Sequence, residues 1–261
     1  MCTVLLAFRM IEGWPLLVAN NRDEFFQRQA LPPRVYSSGN GDGRRWLASC
    51  DLSGGGSWWG YNNRGLMVCL TNRWVGDEYE EGCRSRGQLV LDLLAYDDLG
   101  GARVGLVELC AEASYNPFNL IVVSREKGFF SSNYSQLHFS HLLPGYHYLG
   151  NGLLDICMSV KARSARRLFA EFSEPGFFGS ASGKEKLALT LAHFRKALRT
   201  PFPQDDIPPQ GFNVSFDGYG TTSSWSLAVS EREAADSILH YCNANPLHEN
   251  YQDYSFLTHL L

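Results

Sequence analysis

The chain has no surplus of positive charge. Its 23 Lys and Arg stand against 27 Asp and Glu, a formal net charge of −4 and a pI near 6.0. A nucleic-acid scaffold needs a basic face to neutralise phosphates, so none is expected as a partner. The one basic cluster, Arg163, Arg166 and Arg167, reads as a solvated helix face. No apolar run approaches the roughly 20 residues a membrane helix needs, so no span is expected. No basic, apolar leader opens the sequence, and the 7 cysteines are odd in number and irregularly spaced. Both features predict reduced thiols in a cytoplasmic protein. None of the spacings reads CxxC, HExxH or CxxCH, and His138 and His141 lack further ligands around them. Metal is therefore not expected, and no cofactor is required. Gly54-Gly55-Gly56 lacks the Lys-Ser/Thr of a phosphate-binding loop and reads as a turn.

What is present is ordinary globular material: 44% hydrophobic, 13% aromatic, mean hydropathy −0.20. At 261 residues the chain can bury its own core as one domain, 1–261, with no repeat and no linker. Alternating apolar residues predict strands over Cys2–Phe8 and Leu16–Ala19, joined by a turn at Glu12-Gly13. A loop rich in Pro, Ser and Gly is expected from Leu31 to Gly43. Strands follow at Trp46–Ala48, Trp58–Tyr61 and Leu66–Leu70, with Asn62-Asn63-Arg64-Gly65 as a hairpin turn. Helical periodicity takes over at Arg86–Tyr96, where Leu89, Val90, Leu93 and Leu94 share a face, and a second helix is read at Arg103–Ala113. Strands return at Phe118–Val123, Gly128–Tyr134, Leu137–Ser140 and Tyr146–Gly150. Helices at Lys161–Phe172 and Lys184–Leu198 precede a proline-punctuated loop, Pro201–Pro209. The last strands are Ser224–Val229, Ser237–Tyr241 and Tyr251–Leu257. Two antiparallel sheets with a helix pair on each outer face use all these elements, an α+β fold in four αββα layers.

Chemistry centres on Cys2. A small residue after the initiator Met permits its removal, which leaves Cys2 with a free α-amine whose ordinary pKa is about 7.7–8.0. That amine can serve as general base for its own thiol. Asn20-Asn21-Arg22-Asp23-Glu24 closes the second strand of the opening hairpin, beside the strand that begins at Cys2. Asp23 can hold the amine in place, and Arg22 can lower the thiol pKa or clamp a carboxylate.

With Met1-Cys2 ahead of it, Asn21-Arg22-Asp23-Glu24 resembles the NRDE family, the transport and Golgi organisation 2-like proteins. Further matches run along most of the chain: Gly55–Gly60, Gly65–Asn72, Arg84–Gly87, Phe118-Asn119-Leu120, Asn151 after a Pro144-Gly145 turn, and Gly218–Thr221. More distantly the same landmarks are similar to choloylglycine hydrolases and penicillin V acylases, N-terminal-nucleophile (Ntn) amidases whose nucleophile is a cysteine. That resemblance implies an Ntn-hydrolase fold, with Cys2 as nucleophile, Asp23 orienting its amine, Arg22 nearby, and Asn72 and Asn151 stabilising an oxyanion. It also marks Asn21, Glu24, Trp58 and Asn119 as candidate binding positions. Two departures stand out: Asn20 replaces the acylases' first Arg, and Thr222 and Trp225 occupy the region of their late one.

Two functions follow from the resemblance. One is hydrolysis of the non-peptide amide bond of a small acyl-amide. The other is a carrier or trafficking protein on the same fold, tied to lipid homeostasis or haem trafficking, with haem or an acyl-lipid as reversible ligand. The tryptophans and Tyr61 are candidates either for an apolar pocket or for the core between the sheets. The sequence assigns no oligomeric state.

Overall fold

The computed structural model describes residues 2–76, 79–156, 158–202 and 211–261. Met1, Cys157 and most of the proline-punctuated loop expected at Pro201–Pro209 lie outside the described residues.

In chain order the strands are β1 (Thr3–Ile11), β2 (Trp14–Phe25), β3 (Ala30–Ser37), β4 (Arg45–Asp51), β5 (Trp59–Asn62) and β6 (Met67–Asn72). Helices α1 (Arg86–Leu94) and α2 (Leu99–Glu112) follow, then β7 (Phe118–Val123), β8 (Gly128–Ser132), β9 (His138–His141) and β10 (Gly145–Leu149). Helices α3 (Val160–Phe172) and α4 (Gly183–Arg199) precede β11 (Ser215–Phe216), β12 (Tyr219–Val229), β13 (Ile238–Cys242) and β14 (Gln252–Asp253). Among the described residues they form two sheets of seven strands. One runs β10-β1-β2-β12-β13-β14 with β11 hairpinned onto β12; the other runs β3 to β9 in sequence order. Every pairing is antiparallel.

The layers follow from period-two burial on both faces of the central strands. In β1, Val4, Leu6 and Phe8 enter the core between the sheets, while Leu5 and Ala7 face α3 and α4. In β6, Met67 and Cys69 face that same inner core, while Val68 and Leu70 meet α1 and α2. Leu89, Val90, Leu93 and Leu94 are all fully buried, as their spacing requires. Trp59 and Trp225 stack across the inner core with centroids 4.1 Å apart. With Tyr61 they belong to the core between the sheets. Asn62 closes the β5–β6 hairpin by accepting from the backbones of Arg64 and Leu66, and Gly65 takes φ of +87°. The arrangement is the expected αββα sandwich.

Three local expectations are corrected. Leu31–Gly43 is not a loop throughout, because β3 occupies its first half. Pro32 and Pro33 are tolerated because β3 is a sheet edge and its register shifts between Leu31 and Arg34, where no ladder N–H is needed. Tyr251–Leu257 is a two-residue strand followed by a 3-10 turn, Ser255–Leu260. Helix α2 starts at Leu99, four residues before the expected Arg103, because the Asp98 side chain caps it through the Gly101 N–H at 2.8 Å.

Helix α4 opens with a capping box: Ser182 Oγ accepts from the Glu185 N–H, and the Glu185 carboxylate accepts from the Ser182 N–H at 2.7 Å. Ser182→Ala is expected to lower unfolding stability by about 1 kcal/mol, read by urea denaturation with an unchanged slope.

Candidate active site

The ladder of β1 and β2 sets the site. Thr3 pairs with Asn21, so one step further the register brings Cys2 opposite Arg22. Cys2 is a half-buried residue whose thiol accepts a hydrogen bond from the backbone N–H of Asp23. Burial pushes the thiol pKa up; the charge of Asp23 adds to this, while the Arg22 guanidinium and the Asp23 N–H act against it. At rest Cys2 is thus a neutral thiol that must lose a proton to attack.

Asp23 is fixed on every side. Its Oδ2 lies 2.6 Å from Lys161 Nζ, its Oδ1 accepts from Thr221 Oγ1 at 2.7 Å, and its carbonyl accepts from the Tyr219 hydroxyl at 2.9 Å. The Lys161–Asp23 pair is buried, with side-chain exposures of 7% and 0%. Lys161 Nζ also donates to Thr3 Oγ1 at 3.0 Å, so α3 is tied to the first residue of β1.

Arg22 clamps a carboxylate. Its Nη2 meets Asp51 Oδ2 at 2.6 Å, and its Nη1 donates to Thr222 Oγ1 and to the Arg28 carbonyl, each at 3.0 Å. Its guanidinium sits 4.9 Å from the Trp58 ring centroid. Asn20, which replaces the acylases' arginine, donates to the Thr3 carbonyl at 2.8 Å and accepts from Trp58 Nε1 at 3.2 Å.

Cys2, Arg22, Asp23, Glu24, Trp58 and Asn72 all line one cavity of about 370 Å³. Arg28, Asp51, Arg84 and Arg86 complete its charged wall. The other sequence candidates are arranged around it. Asn151 Nδ2 donates to the Asn72 carbonyl at 2.6 Å, bracing that residue without lining the cavity. Asn119 lies behind, donating to Gly150 and Gly152 carbonyls at 3.3 and 2.6 Å. Asn21 points to the other face of β2, where its amide donates to the Leu198 and Phe212 carbonyls. Asn21 and Asn119 therefore hold backbone in place instead of presenting polar atoms to a ligand.

The turn carrying Asn151 has its own lock. His147 Nδ1 lies 2.7 Å from Asp155 Oδ2 and Nε2 lies 2.8 Å from the Leu143 carbonyl, so both ring nitrogens face acceptors. Burial alone pulls the His147 pKa down, but the Asp155 hydrogen bond and charge, with the Leu143 carbonyl, outweigh it and hold it above the ordinary value. A raised folded pKa adds stability below the unfolded pKa of about 6.5 and loses it as pH rises through the folded one. The melting-temperature gap between wild type and His147→Gln is therefore expected to be largest below the unfolded pKa of about 6.5 and to shrink as pH rises through the raised folded one.

Sequence reasoning gave no role to Lys161, Thr221, Asp51, Arg28 or Arg86, although Thr221 and Arg86 lie in the family-matched segments. Lys161 left one signal: a lysine in the first turn of a helix opposes the helix dipole and calls for a nearby carboxylate. Among the described residues no group of His, Cys, Asp and Glu could hold a metal ion, and no helix is long and apolar enough to cross a membrane.

The model of the family described as Transport and Golgi organisation 2 matches residues 1–238. The chain is 28% identical over 238 residues to the Transport and Golgi organization protein 2 homolog of Homo sapiens, covering 83% of each chain. It is 32% identical over 173 residues to the Bos taurus homolog, a match spanning 63% of this chain and 60% of the bovine one. Among solved structures, a variant of conjugated bile acid hydrolase from Clostridium perfringens superposes with TM-score 0.57 at 11% identity, covering 97% of this chain and 96% of that one. Penicillin V acylase from Agrobacterium tumefaciens superposes with TM-score 0.55 at 12% identity, covering 97% and 86%. At such identities these likenesses establish the Ntn-hydrolase fold alone.

Proposed function

The chain belongs to the Transport and Golgi organisation 2 family, and from that premise we propose that it is a cysteine amidohydrolase, cleaving the amide bond of a small acyl-amide with Cys2 as nucleophile. The observation that carries the reading is Cys2, which lines the cavity with its thiol bonded to the backbone of an Asp23 that Lys161 and Thr221 hold rigid. The structural likeness to penicillin V acylase and bile acid hydrolase supports it.

The chemistry requires the α-amine of Cys2, set free when the Met1–Cys2 bond is cleaved. That amine takes the thiol proton as Sγ attacks the carbonyl carbon, and the carbonyl π electrons move onto oxygen. Asn72 faces the resulting oxyanion, with Asn151 bracing it from behind. The protonated amine then gives its proton to the leaving nitrogen, the C–N bond breaks, and a thioester remains on Cys2. Water, deprotonated by the same amine, hydrolyses the thioester and releases the acid.

The test is intact mass followed by a limiting dose of thiol electrophile and mapping of the modified cysteine. Loss of Met1 with fast, selective modification of Cys2 is expected, together with release of acid from an acyl-amide panel. Retained Met1, or no preference for Cys2, overturns the hydrolase reading and leaves a binding cavity. Haem titration, read as a Soret band, then tests the carrier reading.

A further inference from the structure

The charges lining the Cys2 cavity do not balance locally. Asp23 is paired with Lys161, and Asp51 with Arg22 and Arg28. Glu24 lies 3.6 Å from Arg28, and Arg84 is bound to Asp92 at 2.7 Å. Arg86 is different. Its Nη1 donates to the Pro117 carbonyl at 2.9 Å, and no carboxylate among the described residues forms an ion pair with it. Burial lowers its pKa and the nearby Arg28 cation adds to this, while Tyr79, Cys2 and the Glu24 charge act in the other direction.

Arg86 is also the first residue of α1, and that helix start is bare. The N-cap residue Ser85 makes no side-chain cap hydrogen bond, and the first turn contains no acidic residue. The backbone is held close by Gly56, where an added Cβ would run into the Gly87 backbone, and Ser57 donates to the Gly87 carbonyl at 3.0 Å. Ser85, Arg86 and Gly87 all line the cavity that holds Cys2. A half-buried guanidinium that forms no ion pair among the described residues and an uncapped helix N-terminus on one wall attract the same species, an oxyanion.

We propose that Arg86 and the α1 N-terminus form an anion subsite, so that the ligand of this cavity is an acyl-amide carrying a carboxylate or phosphate. This rests on the reading of the cavity as a substrate site, but not on turnover.

The experiment is calorimetric binding to the full chain with Cys2→Ala, which removes hydrolysis. N-octanoylglycine is compared with its neutral N-octanoylglycinamide, and N-octanoyl-phosphoethanolamine with N-octanoylethanolamine. At least one anionic probe is expected to bind roughly tenfold more tightly than its neutral partner; the arm that does so identifies the anion. Arg86→Gln removes the preference, Arg86→Lys keeps part of it, and Arg84→Gln, whose guanidinium already has Asp92, keeps it. Equal binding of charged and neutral probes, a preference that survives Arg86→Gln, or no binding of any probe at millimolar concentration overturns the subsite. Should Arg86→Gln not fold, a preference that Arg86→Lys leaves at full strength and raised salt does not weaken overturns it as well. Arg86-dependent binding without hydrolysis by the wild-type protein keeps this inference and removes the hydrolase reading.

Discussion

Lys161→Met is expected to lower unfolding stability by about 3–5 kcal/mol, because it removes the ammonium that faces the fully buried Asp23 carboxylate. Methionine keeps most of the side-chain volume, so the loss reports charge and not a cavity. For a chain of this size the melting temperature is expected to fall by on the order of 10 °C. Removing the stranded charge should recover most of this: Lys161→Met with Asp23→Asn is expected to be clearly more stable than Lys161→Met alone. The two residues are separated by 138 positions and join α3 to the end of β2, so the coupling measures a long-range tie. If the single variant loses under about 1 kcal/mol, or the second change brings no recovery, the pair is not the anchor of the site.

Cys2→Ala is expected to reduce acyl-amide hydrolysis by on the order of 10⁴–10⁶-fold, the scale seen when a covalent nucleophile is removed. Asn72→Ala is expected to cost about 10²–10³-fold, the loss of one oxyanion donor. Electrophile labelling separates base-assisted attack from simple exposure. Burial raises the Cys2 thiol pKa, and burial likewise pushes Cys110 up to about 11. Without help from its amine Cys2 should label slowly near neutral pH and faster only as pH nears its own raised thiol pKa, as for the likewise buried Cys110. With the amine as base, its labelling rate should climb through roughly pH 7–8, where an α-amine deprotonates. A Cys2 profile that tracks Cys110 would sink the mechanism.

Much of this architecture was legible because periodicity survives in the strands and helices that face two layers. The alternation in β1 and β6 and the shared face of α1 follow from side-chain direction alone. The expectation failed where a local signal was overridden. Pro32 and Pro33 argued for a loop, but an edge position with a register shift accommodates them. Tyr251–Leu257 alternates like a strand, yet after Asp253 the chain turns, with Ser255 donating its N–H to the Asp253 side chain at 2.8 Å.

The sequence by itself determined the αββα layering, the family, and the presence of Cys2, Arg22, Asp23, Glu24, Trp58 and Asn72 in one neighbourhood. The layering rests on residue period and the placing of Cys2 beside Arg22 and Asp23 on the opening hairpin, while Glu24, Trp58 and Asn72 join them through the family resemblance. Only the tertiary structure decided that Lys161 on α3 is the partner of Asp23, and that Arg22 is spent on Asp51. It alone turned the Asn21 and Asn119 amides toward backbone carbonyls and left Arg86 lining the cavity with no ion pair among the described residues. Such pairings join segments far apart in the chain. They depend on how helices seat on sheets, and no spacing along the chain encodes the distance between two charged groups across layers.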